Sequence, residues 1–183
     1  MTLELRGPRV TLRPLREDEL VLLRESRDLA AFGGGAPDPA SDRLLRERIS
    51  RSGRLVDGWL DLGIESDGRL VGDVGARRPP GSLPPGVFEL GISIFAESDR
   101  GRGIGVEAIR LVTEHLFEEL DAFRVQATTA VSNEPMRALL RRLGFVEEGV
   151  LRGFMPRADG SRDDYVMSAI TRDAAERRAR VAR

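Results

Sequence analysis

An apolar strand-like stretch and an amphipathic helix-like stretch are joined at residues 99–106 by Asp-Arg-Gly-Arg-Gly-Ile-Gly-Val, with glycine at positions 101, 103 and 105. That junction constrains the chain more than any other segment. Before it, Phe88, Leu90, Ile92 and Ile94 alternate with Glu89, Gly91, Ser93 and Phe95, the pattern of a strand with one apolar and one polar face. After it, Ile104, Ala108, Leu111, Val112, Leu116 and Leu120 recur on one helical stripe. A strand that runs through glycines into a helix makes an anion cradle. Without a Cβ the backbone takes positive φ and lets a phosphate approach, and the first helical N–H groups have no intrahelical partner.

The spacing narrows which anion. The chain contains no lysine, so a Gly-Lys-Ser/Thr nucleotide loop is excluded. The dinucleotide pattern G-x-G-x-x-G can start only at Gly101 and would need glycine where Val106 stands. What remains is R-x-x-G-x-G, Arg100 to Gly105, for which a glycine-rich turn without a ligand is the alternative reading.

With 183 residues and 20.2 kDa, the expected organisation is one domain over 1–183, with a polar C-terminal tail from about residue 172. Zero cysteines exclude disulfides, thiolate metal ligands and a cysteine nucleophile. The single histidine, His115, lies within the helix after the glycines and reads as a packed or solvated side chain; no metal site is expected. A net charge of −1 and a pI near 6.0 argue against nucleic acid as a direct partner. No run reaches the ~20 apolar residues of a membrane span and Met1–Arg6 lacks an apolar signal core, so no membrane partner and a cytoplasmic location are expected. All 29 cations are arginine, which reads as coding bias.

Along the chain, Arg9–Leu15 alternates as an edge strand, Glu17–Leu29 reads as a helix, and Ser41 or Asp42 can cap a second helix through Ile49. Residues 32–39, Phe-Gly-Gly-Gly-Ala-Pro-Asp-Pro, form a loop between them, and the helix pair is expected to wall a cleft. Trp59–Glu65 and Leu70–Ala76 flank Asp67-Gly68 as a hairpin. A Pro-Gly excursion over 77–86 precedes the strand Val87–Phe95. Arg124–Ala130 is a strand, Asn133 opens a helix over Met136–Arg142 that ends at Gly144, and Val146–Phe154 and Asp164–Ile170 are closing strands.

This order of elements and several ordered motifs resemble the GNAT N-acetyltransferase superfamily, in its RimJ/RimL-type branch. The motifs are Val10-Thr-Leu-Arg-Pro-Leu-Arg-Glu-Asp, Asp99-Arg-Gly-Arg-Gly-Ile-Gly-Val-Glu-Ala, Asn133 with Leu143-Gly-Phe-Val-Glu-Glu-Gly, and Asp159-Gly-Ser-Arg-Asp-Asp-Tyr-Val-Met-Ser. The resemblance implies an α+β fold. Its centre is a mixed, mostly antiparallel sheet of about seven strands flanked by helices, splayed between the fourth strand, Val87–Phe95, and the fifth, Arg124–Ala130. It implies acetyl-CoA as co-substrate. Arg100, Gly101, Arg102, Gly103, Ile104 and Gly105 would bind the pyrophosphate, mostly through main-chain N–H groups, with Arg100 or Arg102 adding charge. Ile92, Ser93 and Ile94 would pair their main chain with the pantetheine arm, and a free N–H at the splay would polarise the acetyl carbonyl. Asn133 carries over as a cofactor contact, where a helix N-cap is the alternative. Glu89 carries over as the general base acting through water, where a structural salt bridge to an arginine is the alternative.

The chain departs from its relatives at the acid. The superfamily's usual Tyr is Leu140 here, and the branch's usual Ser is Met136; Ser93, Ser132 and Tyr165 are fallback donors. A thiol pKa near ~8.5 lets CoA leave without a dedicated acid. Three functions stay in competition: acetylation of the N-terminal α-amino group of a protein of ribosomal type or a peptide, acetylation or succinylation of a small amine, and CoA binding without turnover. Either a monomer or a homodimer is compatible.

Overall fold

The computed structural model describes residues 2–26, 39–78 and 80–181. Among them, eight strands form one sheet: β1 (Leu5–Arg6), β2 (Thr11–Arg13), β3 (Trp59–Ser66), β4 (Arg69–Arg77), β5 (Val87–Ile94), β6 (Arg124–Ala130), β7 (Val146–Pro156) and β8 (Arg162–Thr171). Their spatial order is β1-β2-β3-β4-β5-β6-β8-β7. Every neighbouring pair is antiparallel except β5 and β6. A parallel pair cannot be closed by a tight turn. The crossover is supplied by α3 (Ile104–Glu118), the helix that follows the glycine junction. The remaining helices are α1 (Leu20–Glu25), α2 (Pro39–Arg51), α4 (Glu134–Leu143) and α5 (Arg172–Val181).

The mixed α+β sheet is the one expected, with one strand more. The N-terminal segment folds as two short strands because Gly7-Pro8 breaks it: Gly7 N–H turns back to Val10 O at 2.9 Å, and Pro8 has no N–H to offer a ladder. The first helix is also shorter at its start than the pattern suggested, with a 3-10 turn over Glu17–Glu19 before α1. The rest of that stretch and the loop over 32–38 lie outside the described residues. Helix α2 begins at Pro39 rather than behind a Ser41 or Asp42 cap, since proline at a first helical position is already set to helical φ. The β3–β4 turn is as read: Asp67 and Gly68 take φ of 52° and 75°, the left-handed pair of a tight hairpin.

Two apolar clusters lie on opposite faces of the sheet. Phe88, Leu90, Val125 and Ala127 point to one face, where Ile104, Ala108, Ile109, Val112 and Leu116 of α3 and Leu140 of α4 close the larger core. On the other face Leu20, Leu23, Leu45 and Ile49 of α1 and α2 form a smaller cluster with Leu15 and Leu70, and Phe95 packs beside it. The polar side of β5 therefore opens beside a helix pair, as the alternation of Glu89, Gly91 and Ser93 implies.

Candidate active site

The site begins where β5 and β6 part. Their parallel register covers only Val87↔Arg124, Phe88↔Val125 and Glu89↔Gln126. Strand β5 stays paired with β4 as far as Gly72↔Ile94, and β6 stays paired with β8 to Ala130↔Tyr165, so the two halves of the sheet diverge from Glu89 onward. Phe95 N–H donates to Val71 O at 3.0 Å. The alternation of an antiparallel ladder then turns the main-chain groups of Leu90, Ile92 and Ile94 away from β4 and into the fork. This is the splay expected between these strands, and it presents Ile92 and Ile94 as a strand edge unpaired by β6; Ser93, expected to join them, instead turns its main-chain groups to β4, because the ladder alternates.

At the end of that edge stands the glycine junction. Arg100 N–H donates to Glu97 O at 3.0 Å, and the next main-chain bond is Glu107 N–H to Gly103 O at 3.1 Å. Between them the N–H groups of residues 101–106 have no main-chain partner among the described residues. Gly101 and Gly103 take φ of 73° and 83°, which L side chains rarely adopt. Gly105 differs from the expectation. It lies inside α3, and its role is close packing, since a Cβ there would stand 3.2 Å from Leu139 Cδ1 and 3.7 Å from Ile92 Cδ1. Ile104 is buried under the first turn and anchors it in the larger core. The cradle is thus a run of free donors on a backbone shape that glycine alone holds without strain.

The two arginines of the motif are not equivalent. Asp99, 1% exposed, accepts two hydrogen bonds from Arg69, at 2.9 and 2.6 Å, and one from Arg102 at 3.0 Å. These guanidinium groups, Arg69 first, hold the Asp99 carboxyl below the usual aspartate range. Arg102 also reaches Asp67 at 3.3 Å, so its charge is spent on bracing the junction against the β3–β4 turn. Arg100 is exposed and donates to Ile94 O at 3.2 Å, on the fork side of β5.

On the polar face, Glu89 sits at the last paired position before the fork. Its Oε1 accepts from Arg77 at 2.9 Å and from Thr128 Oγ1 at 3.3 Å, while Oε2 has no protein partner among the described residues. The same face carries Asp61 and Asp73, bonded by Arg48 at 2.8 Å each and, at Asp61, also by Arg51 at 3.2 Å. Burial lowers and these two carboxylates raise the Arg48 pKa, and the carboxylates prevail, leaving it above the usual arginine value. Arg51 and Arg77 also stack over Trp59, with 5.4 and 6.0 Å to the ring centroid. Ser93 is half-buried on this face, opposite Asp73.

Asn133 is the N-cap of α4, its side chain accepting from Met136 N–H at 3.2 Å. The amide nitrogen is left to donate, just past the β6 end of the fork. Leu140 is 1% exposed inside the larger core and carries no proton donor. Sequence reasoning missed Arg9, Arg77, Thr128 and the brace formed by Arg69 and Asp99. Each lies at least 12 residues along the chain from what it touches, and apart from Asp99, which opens the glycine motif, none stands in a motif that announces the contact. Glu107 stands in the glycine motif, but nothing there announces that its Oε1 accepts the Arg9 and Val10 N–H groups at 2.8 and 3.2 Å. Among the described residues no group of three or more His, Asp or Glu is placed to hold a metal ion, and no helix is long and apolar enough to cross a membrane.

Residues 9–146 match the family model described as an acetyltransferase (GNAT) domain. Over 139 residues, 73% of each chain, the sequence is 44% identical to a Bacillus subtilis (strain 168) protein named "Putative ribosomal N-acetyltransferase YdaF". It is 29% identical over 178 residues to another from that organism, named "Probable N-acetyltransferase YjcK", covering 91% of this chain and 96% of that one. Among solved structures, Mycobacterium smegmatis RimJ in complex with CoA-disulfide superposes with a TM-score of 0.72 at 27% identity, covering 100% of this chain and 94% of that one.

Proposed function

The chain belongs to the GNAT acetyltransferase family, in its RimJ/RimL-type branch, and from that premise we propose that it transfers the acetyl group of acetyl-CoA to the N-terminal α-amino group of a protein of ribosomal type. The donor half of this reading rests on the cradle. Six consecutive N–H groups, residues 101–106, lie without main-chain partners at the start of α3, beside the edge of Ile92 and Ile94 that β6 leaves unpaired. A diphosphate is held by such donors and by the positive end of the helix, and an amide-rich arm pairs with such an edge as another strand would. Acetyl-CoA would supply the activated thioester carbonyl. The Asn133 amide nitrogen is placed to donate to the arm from the far side of the fork.

The observation that carries the acceptor half is the charge balance around Glu89. Among the described residues of that face, Asp61, Asp73 and Glu89 are each matched by Arg48, Arg51 or Arg77. A polyamine carries several ammonium groups and is held by surplus carboxylates, which the described residues of this face do not offer. A single α-amine needs only one proton acceptor and a polar wall. Glu89 Oε2 is that acceptor, directly or through one water, while Arg77 and Thr128 fix the carboxyl from the Oε1 side. The name of the 44%-identical relative points the same way.

The test is release of free CoA thiol from acetyl-CoA with three acceptors. These are a peptide with a free N-terminus, the same peptide N-terminally blocked but bearing a lysine, and spermidine. The proposal expects turnover with the first alone. Turnover with spermidine in preference to the peptide would overturn the acceptor assignment, and CoA binding without thiol release for any amine would make the chain a binding module. Met136 and Leu140 offer no proton to the departing thiolate, which favours that last reading; the acidity of a thiol, near ~8.5, removes the need for one.

A further inference from the structure

The geometry points to Arg9 as the side chain that clamps a CoA phosphate onto the glycine cradle, an inference that rests on the cradle being the CoA site. Arg9 approaches Gly103 from the N-terminal segment between β1 and β2. Its Cδ and Nε both lie 3.8 Å from where a Cβ on Gly103 would be, so its stem crosses the face of the residue that caps α3. The main chain there is fixed. Arg9 N–H and Val10 N–H both donate to Oε1 of buried Glu107, Arg9 O accepts from Ser66 Oγ at 3.1 Å, and a Cβ on Gly7 would overlap the Glu107 carboxylate. The start of the phosphate helix and the root of Arg9 are therefore bolted together.

Among the described residues the guanidinium makes one loose ion pair and no hydrogen bond. Its one charged neighbour is Glu107 Oε2 at 3.6 Å, beyond hydrogen-bond reach, and the side chain is 64% exposed. Among the described residues its N–H groups make no hydrogen bond. The motif arginines are otherwise engaged, Arg102 by Asp99 and Asp67 and Arg100 by Ile94 O. A planar fork of donors on a fixed main chain, its stem beside Gly103 and the six main-chain N–H groups without partners, is an arrangement that can take two oxygens of one phosphate. The ligand group is a phosphate of the CoA nucleotide, either the pyrophosphate or the 3′-phosphate.

The test is calorimetric binding of CoA and of 3′-dephospho-CoA to wild type, Arg9→Gln and Arg102→Gln. Arg9→Gln is expected to weaken CoA binding by roughly tenfold or more, the scale of a charge-assisted hydrogen bond, with a shallower salt dependence and an unchanged melting temperature. Arg102→Gln is expected to lower the melting temperature and to cost less affinity. If dephospho-CoA abolishes the Arg9→Gln penalty, the arginine holds the 3′-phosphate; if the penalty persists, it holds the pyrophosphate. Gly103→Val and amide hydrogen exchange of residues 101–106 in wild type with and without CoA test the underlying reading. Wild-type affinity in Arg9→Gln, beside CoA protection of those amides, would overturn the clamp and leave the cradle standing. No protection of those amides would overturn the cradle itself.

Discussion

Replacing Gly103 by alanine separates backbone conformation from packing at the cradle. Gly103 has φ 83° and ψ −2°, and the nearest atoms to an added Cβ are Arg9 Cδ and Nε at an ordinary 3.8 Å. No clash is added, so the folding cost is the left-handed conformation alone, about 1–2 kcal/mol for a residue with a Cβ. At roughly 2–4 °C per kcal/mol for a chain of this size, the melting temperature should fall by about 2–8 °C. Any relaxation of φ tilts the N–H groups of residues 101–105 away from a shared point. Losing one hydrogen bond to a charged phosphate, about 1.5–3 kcal/mol, weakens CoA binding at least ~10-fold. Gly105→Ala is the control. Its backbone is helical, alanine is the better helix former by up to ~1 kcal/mol, and its Cβ meets two side-chain ends that can shift, Leu139 Cδ1 at 3.2 Å and Ile92 Cδ1 at an ordinary 3.7 Å. Its CoA affinity should stay near wild type. Calorimetry and thermal unfolding on both variants decide the matter. Gly103→Ala binding CoA as wild type does, despite a lower melting temperature, would refute the argument that these N–H groups hold the phosphate.

Glu89→Gln keeps the shape and removes the proton acceptor, so kcat/KM at neutral pH should fall by 10² to ~10⁴ with CoA affinity unchanged, and part of the deficit should return in alkaline buffer as the amine loses its proton unaided. A variant within about threefold of wild type at every pH would make Glu89 a structural partner of Arg77. Asp99 titrates below the usual aspartate range because Arg69 and Arg102 bond its charged form, so its contribution is complete above about pH 4 and is lost as the pH falls through the lower folded value. Asp99→Asn should lower stability at neutral pH and flatten the acid limb of a melting-temperature profile. Burial holds His115 below its ordinary value of 6.5, so the unfolded chain binds a proton first as the pH drops below that value and stability declines there. His115→Gln should remove the decline between pH 6.5 and the lower folded value; a profile unchanged by the substitution would show that the decline has another source.

What could be read from the sequence was local. The alternation through Phe88 and Glu89 fixes which face of β5 is core, Asp67-Gly68 fixes a left-handed hairpin turn, and the stripe from Ile104 to Leu116 fixes which side of α3 packs. Each signal is carried within a few residues by sterics or by period. The misses arise where a local signal is too short or has two solutions. The strand read over Arg9–Leu15 gains a two-residue partner before it, because Gly7 N–H turns back to Val10 O, and two residues carry no period to read. Gly105 can hold positive φ or admit a neighbour, and Leu139, brought up by α4, chooses the second.

Charge pairing was the part that stayed hidden, for a physical reason. With 29 arginines and 30 acidic residues, nearly every carboxylate has many partners available by sequence, and only the sheet register decides among them. Arg77 meets Glu89 because they are opposed across β4 and β5, and Arg69 reaches Asp99 across thirty residues because the hairpin and the junction share one end of the sheet. The register therefore assigns function by subtraction. Two arginines written into the phosphate motif look like its charge, yet Arg102 is consumed in bracing the loop. Arg9, outside the motif and 98 residues from the Glu107 that fixes its main chain, keeps its guanidinium donors out of any hydrogen bond among the described residues, which is why the clamp is proposed there. In a chain with 29 arginines, the proposed phosphate ligand is the one whose guanidinium the fold leaves without a hydrogen bond beside the cradle, and only the three-dimensional pairing can identify it.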